Sequence, residues 1–338
     1  MPPPGPHQEI RRRLNPMVRF HFGQRDLLRT RFAIAPLMEL VGAMYALRDP
    51  TRYAVHSPWA DWARPRTEQL DLSLLDVATP AGGPFWPVFV GPPPRAPRAE
   101  VADELDRVSA TPPDQAAAEI VRAYPDGVPP AAQPFLYDPA GALSKLVEQM
   151  RAFWDAALAP WWPQISGVLE SEIAARARAL VAVGPQAAFT GLHPTVRWDG
   201  STLSVHPTAK GSAEVQLAAR GLLLVPAVFT WPSVWPRTDP PWDPALVYPP
   251  PGIAELWAPA RSGAEALESL LGRRRARVLL ELDRPASTLE LAQRMDVSAG
   301  GVSDHLTVLR RAGLVTRRRE GRRVIYARTA KGSDLCGP

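Results

Sequence analysis

Apolar residues recur at three- and four-residue steps in the last quarter of the chain. Over residues 287–326 they predict two short helices. The first carries Leu289, Leu291, Ala292 and Met295, and the second Val302, Leu306 and Leu309. Ser287-Thr288-Leu289-Glu290 is a capping box, in which the serine hydroxyl accepts the third N–H and the glutamate returns to the cap N–H. Asp296 falls at the turn between the helices, where aspartate tolerates a left-handed backbone. Ser298 can cap the second helix, and Gly313 stands at its C-terminal end. Leu314 to Arg319 and Arg323 to Thr329 then read as two strands joined at Glu320-Gly321-Arg322, with Val324 and Tyr326 alternating with more exposed neighbours.

Upstream, the patterning is less regular. Met17 to Phe22 alternates like a strand, and Asp26 to Leu47 is helical in pattern. Pro36 suits a helix start there, with Leu37, Leu40, Val41, Met44 and Leu47 on one face. Trp59 to Pro94 has no clear period. Helices are expected at Ala99 to Val108, Asp114 to Tyr124, Ala140 to Leu158 and Pro163 to Val183. Val196 to Val205 reads as a hairpin with an Asp199-Gly200 turn. Gly221 to Trp231 reads as a buried strand, and Pro232 to Gly252 as too proline-rich for regular structure. Ser262-Gly263-Ala264-Glu265 is a second capping box and opens the last module.

The chain is therefore expected to be α+β. A mainly helical N-terminal regulatory domain with some strands spans 17–259, after a disordered leader over 1–16. A winged helix-turn-helix spans 260–333, before a tail over 334–338. Met17 is a candidate translation start, since ordered sequence begins there.

Charge and proline divide the chain at the same place. Residues 273–331 hold 15 basic and 6 acidic side chains, a net +9 against +5 for the whole chain, which leaves −4 for the remainder. A basic module on a mildly acidic body points only the C-terminal part at a polyanion. Of 40 prolines, only Pro285 and Pro338 follow residue 264, and all 11 tryptophans precede it. The one cysteine, Cys336, excludes an internal disulfide framework and suits a reducing cytoplasm; a lone thiol at a frayed terminus is ordinarily incidental. No segment reaches the ~20 apolar residues of a membrane helix.

Helix, tight turn, helix and basic hairpin is the order of a winged helix-turn-helix, whose second helix enters the DNA major groove. The run Val297-Ser298, Val302-Ser303, His305-Leu306, Val308-Leu309-Arg310, Ala312-Gly313-Leu314-Val315, Arg318-Arg319-Glu320-Gly321-Arg322 and Tyr326 resembles the ArsR/SmtB family. Residues 270–279 are similar to that family's preceding helix. Met17 to Arg52 also resembles an uncharacterised N-terminal domain attached to some ArsR-like regulators. The resemblance implies a dimeric bacterial regulator, usually a repressor released from DNA by a signal. Departures limit what it carries over. Asp304 stands where a histidine is frequent, and Gly300-Gly301 replace a bulkier polar pair. The helix over 288–295 lacks the paired cysteines of metal-sensing members, and little chain remains for a C-terminal dimerisation helix. No metal or cofactor is implied.

On this reading residues 298–311 form the recognition helix, with Ala299, Ser303, Asp304 and Thr307 at the base edges and Ser298 and Gly301 also among the DNA-binding residues. Asp304 could accept from cytosine N4 or repel misplaced phosphate, and His305 could touch DNA or pack. Arg310 and Arg311 close the helix near the backbone. Arg317, Arg318, Arg319, Arg322, Arg323 and Tyr326 belong to the wing, where the arginines neutralise phosphates. Binding as a homodimer follows from the need for two half-sites, with a seam on residues 264–271 or in the body. The aromatic body could hold a small-molecule effector, or its rings could simply pack a core. His21, His193 and His206 lack a third ligand and read as structural. Nothing converges on catalysis. The alternative is a scaffold whose winged helix binds a protein.

Overall fold

In the computed structural model, residues 17–80, 85–206, 212–239, 242–257, 263–320 and 323–336 are described. The leader, the Ser262 capping box and the wing tip with Arg322 lie outside them. The chain divides into two compact units, Met1–Ala258 and Pro259–Pro338.

In the N-terminal unit, β1 (Val18–His21) alternates buried and part-buried residues, as its pattern requires. The single helix expected over 26–47 is two. α1 (Gln24–Arg29) ends, β2 (Arg31–Phe32) pairs with a later strand, and α2 (Pro36–Arg48) starts afresh with proline in its first turn. Buried Asp26 holds the break in place, accepting from Gly23 N at 2.8 Å and from Gly221 N at 3.0 Å. The aperiodic stretch after Trp59 contains α3 (Ser57–Thr67) and α4 (Ser73–Ala78). α5 (Val101–Ser109) and α6 (Pro113–Ala123) follow within a few residues of expectation. A short α7 (Pro134–Tyr137), outside every expected helix, precedes α8 (Pro139–Phe153) and α9 (Trp162–Val183), which again match to within a few residues. The stripe Leu143, Leu146, Met150, Phe153 and Trp154 is core.

Two four-stranded sheets complete this unit. β3 (Val196–Trp198) and β4 (Thr202–Val205) form the expected hairpin, whose Asp199 carboxylate accepts from Ser201 N and Thr202 N. With β5 (Ala213–Gln216) they make a sheet of order β3-β4-β1-β5, so the leading strand inserts between distant partners. β6 (Leu223–Pro226) is the buried strand expected after Gly221. The proline-rich stretch after Pro232 is not irregular, because it supplies β7 (Trp235–Arg237) and β8 (Ala245–Tyr248). The second sheet has the order β2-β6-β8-β7, which leaves β7 on the edge, where Pro236 needs no ladder partner on its open side. α2 packs closely on residues 228–230. A Cβ at Gly42 would lie 2.6 Å from that of Phe229, and Glu39 accepts from Val228 N and Phe229 N at 2.7 and 3.0 Å. α10 (Ile253–Leu256) closes the unit.

The C-terminal unit opens with α11 (Gly263–Leu271) and α12 (Arg273–Leu280). β9 (Ala286–Ser287), α13 (Thr288–Met295), α14 (Ala299–Arg311), β10 (Val315–Glu320) and β11 (Arg323–Arg328) follow. The three strands form a sheet of order β10-β11-β9. A further helix, α15 (Ala330–Cys336), occupies what was expected to be short tail. It lies so close to β10 that a Cβ at Gly332 would collide with the Leu314 carbonyl. Cys336 accordingly packs against the core rather than fraying, and burial pushes its thiol pKa up.

Candidate nucleic-acid interface

Both halves of the capping box form at the start of α13. Glu290 N donates to Ser287 Oγ at 3.3 Å, while Ser287 N and Oγ donate to Glu290 Oε2 at 2.7 and 2.9 Å. The Ser287 N–H, followed by its hydroxyl, holds the Glu290 carboxyl below its ordinary value. Leu291, Ala292 and Met295 are buried, but Leu289 is 62% exposed. Two residues before Leu291 is about 200° around a helix, so Leu289 faces away from the core. Asp296 takes φ 54° and ψ 51°, the left-handed turn that lets α14 start in a new direction.

α14 buries Val302, Leu306 and Leu309 as one stripe, and Ser298 Oγ accepts from Gly301 N at 3.3 Å. Opposite that stripe stand Gly300, Ser303, Asp304, Thr307 and Arg311, all exposed. Ala299 and Arg310 flank this ridge on one side and Val308 on the other. A Cβ at Gly300 would meet nothing within 4 Å, so backbone itself is presented there. Gly301 and His305 are part-buried on the flank toward the core. The Thr307 hydroxyl donates to Ser303 O at 2.9 Å, which leaves its lone pairs and methyl facing outward. Gly313, at φ 74°, ends the helix, and Leu314 N returns to Leu309 O at 3.0 Å.

The wing's register sorts its arginines. Arg317 faces Tyr326, Arg319 faces Val324, and Arg318 faces Ile325. Directly opposed residues share a face. Arg317 and Arg319 therefore continue the face on which Val315 and Tyr326 pack into the core, while Arg318 and Arg323 lie on the other. All four are exposed. Arg323 Nη1 stands 3.8 Å from Glu290 Oε1, an exposed ion pair of the weak kind that a phosphate can replace. Arg328 has a structural task. Its Nε and Nη2 donate to Leu279 O and Leu280 O at 2.8 and 2.6 Å, closing the end of α12 and tying the wing to it.

A helix-turn-helix domain family matches residues 273–318. The chain is also 33% identical over 84 residues to the transcriptional activator HlyU of Vibrio cholerae serotype O1, a match spanning 25% of this chain and 78% of that protein. The chain belongs to the helix-turn-helix transcription regulators. In this regulator the matched family covers α12, α13, α14 and the first part of the wing, so DNA binding resides in the C-terminal unit. Residues 128–253 match a family of unknown function (DUF5937). The segment 17–52 lies before that match, yet β1 pairs with β4 and β5 inside it, so the two are one folded body. No solved structure gives a significant match.

Elsewhere in the regulator, His193 Nδ1 lies 2.7 Å from the Thr195 hydroxyl, and His21 Nε2 lies 2.7 Å from Glu214. Among the described residues no three His, Cys, Asp or Glu side chains gather to hold a metal. Much of the aromatic wealth is core. His56, Trp59, Phe229 and Trp257 pack together, Trp257 Nε1 donates to His56 Nδ1 at 3.1 Å, and burial pushes His56 down to about 3. A surface groove of about 470 Å³ beside α4 and α8 is lined by Pro130, Pro134, Asp138 and Lys145, without an aromatic side chain. Among the described residues, no helix is long and apolar enough to cross a membrane.

Three features escaped sequence reasoning: the exposed Gly300 backbone, the outward Val308 and Leu289, and the capping task of Arg328. The first two were available from helical spacing relative to Val302 and Leu291. The third needed the fold, because it joins residues about fifty positions apart.

Proposed function

We propose that the protein binds operator DNA as a homodimer and represses transcription from it, acting by binding and not by catalysis. One observation carries this reading. α14 is anchored by a fully buried aliphatic stripe, and its opposite face presents a polar ridge that ends in Arg311. Gly300, Ser303, Asp304 and Thr307 then meet base edges, with Ser298, Ala299 and Gly301 at the entering end. Arg310, Arg311, Arg317, Arg318, Arg319 and Arg323 neutralise phosphates, and Tyr326 supports the wing from the core side. Repression follows where such a complex covers a promoter in the cytoplasm. The HlyU relative is named an activator, so the sign is set by where the operator lies.

We propose the dimer seam on α11 and α15, a reading supported by their packing together and leaving Leu270 68% and Leu335 40% exposed. The N-terminal unit supplies the sensing part. Fluorescence anisotropy against DNA from upstream of the protein's own gene, with scrambled DNA as control and salt varied, tests this. Preference by about 10³ with affinity falling as salt rises supports a sequence-specific regulator. A monomer by light scattering removes the dimer, and a reporter gene gives the sign.

A second reading has one observation in its favour. Leu289, Val297 and Val308 are 62%, 45% and 43% exposed on the same unit, apolar side chains that a protein partner could cover. Absence of DNA binding at low salt puts that scaffold reading first.

A further inference from the structure

The edge strand β7 ends in an arginine whose surroundings are unusual. The guanidinium carbon of Arg237 lies 3.8 Å from the Trp86 ring centroid and 5.5 Å from that of Trp242. Among the described residues, its Nε and Nη2 are sealed from solvent and have no hydrogen-bond partner; Trp86 Nε1 is likewise sealed and only approaches the Tyr45 hydroxyl. Buried donors are almost always paired, so two orphans on one guanidinium edge call for an acceptor. Stacking on indole faces compensates part of the charge but satisfies none of the N–H groups.

Neighbouring acids do not fill the gap. Glu119 accepts from Val88 N and Phe89 N through Oε2 and from Gln115 through Oε1. Asp239 takes Arg122 at 3.2 Å, and the Tyr45 hydroxyl donates to Pro80 O. Burial holds the Arg237 guanidinium down at about 10, against the opposing pull of Tyr45, Asp239 and Glu119, so it remains a cation at neutral pH.

The chemistry of the orphan pair is specific. Nε–H and one Nη2–H project in parallel from the same edge of a guanidinium, the edge that takes a carboxylate with two side-by-side hydrogen bonds. Two nearby carboxylates disfavour a doubly charged phosphate, and Trp86 and Trp242, with Trp235 of the same apolar cluster, offer an apolar surround. We propose that Arg237 and Trp86 form the recognition site for an organic monocarboxylate with an apolar body, bound as the Trp86 indole moves aside to admit it. This names the ligand class of the sensing unit and rests on the regulator reading for its biological meaning. Binding itself is measured on the free protein, so its failure and a failure to bind DNA are separate results.

The test is calorimetric titration of the full chain with benzoate and with hexanoate, using benzamide and inorganic phosphate as controls. At least one carboxylate binds, and benzamide and phosphate bind at least tenfold more weakly. Arg237→Lys keeps the charge but loses the two-pronged edge, and carboxylate affinity falls at least tenfold. Trp86→Phe keeps a ring and loses one donor, and affinity falls severalfold; this milder variant decides the matter if Arg237→Lys does not fold. Silence from both carboxylates, equal binding of benzamide, tighter binding of phosphate, or unchanged affinity in the folded variants overturns the proposal.

Discussion

In the C-terminal unit the fully buried core is aliphatic apart from Met295, with Tyr326 and Cys336 packed at its margin: Leu279, Leu282, Leu291, Val302, Leu306 and Leu309 close over one another, and the charges stay outside. The N-terminal unit instead closes over Glu39, Glu104 and His56, and over the Nε and Nη2 edge of Arg237. Among the described residues, every buried polar or charged side chain lies in that unit. A reading head needs only a rigid helix and a basic surface, and an apolar core supplies the rigidity. The N-terminal unit keeps titratable groups inside, at a cost in desolvation. The contrast predicts that the two units answer differently to core truncation, to pH and to salt.

Core truncation has the largest expected effect. Leu306→Ala removes a fully buried side chain from the stripe under the recognition helix, at about 2–5 kcal/mol. Calorimetry should show the C-terminal transition falling by roughly ten degrees or more while the N-terminal one stays. A common shift of both would end the idea of separately stable units.

The response to pH comes next. Burial raises Glu104 to about 8 and Glu39 to about 7 from an ordinary 4.5. The folded chain therefore holds these protons where the unfolded chain has lost them. Their contribution is complete below about pH 4.5 and drains away as pH rises through about 7 and about 8. His56 has the opposite sign. Its folded value of about 3 against 6.5 means that its contribution is present above 6.5 and is lost as pH falls toward 3. Glu104→Gln, which keeps an oxygen for the Leu37 N–H at 2.8 Å, should flatten the decline of the N-terminal melting temperature toward alkaline pH. The C-terminal transition should not notice. An unchanged slope in the variant would remove Glu104 from this account.

Salt separates the units at the DNA. Arg317→Ala should lower affinity for specific and scrambled DNA alike, by at most about tenfold, and shallow the log–log salt dependence by about 0.9. A loss confined to one base position would move Arg317 from phosphate to base contact. The smallest effect is the cap. Ser287→Ala should cost about 1 kcal/mol, again in the C-terminal transition alone.

The same contrast explains what could be read from the chain directly. The C-terminal unit was legible because its signals are local: Ser287 and Glu290 three residues apart, Asp296 at the turn, and a stripe of Val302, Leu306 and Leu309. β7 and β8 were not legible, because Pro236, Pro244 and Pro249 looked like breakers. Only the edge position of β7 makes Pro236 tolerable, and that position is a property of the assembled sheet. The break between α1 and α2 depends on Asp26 reaching Gly221, 195 residues away. Arg237 and Trp86, likewise, meet only through the fold. The DNA face was legible as a stretch, but the order of residues across it needed the buried stripe as a reference.

The two glycines at the start of α14 have a kinetic consequence. Each costs a helix about 1 kcal/mol relative to alanine, so the first turn opens roughly thirty-fold more often than an alanine pair would allow. Ser298 holds that turn by one bond, at 3.3 Å to Gly301 N, while Leu306 and Leu309 hold the rest by burial. Amide protons near Gly300 and Gly301 therefore exchange with solvent well before those two turns further on. If α14 meets DNA as proposed, adding operator DNA should abolish this difference in exchange.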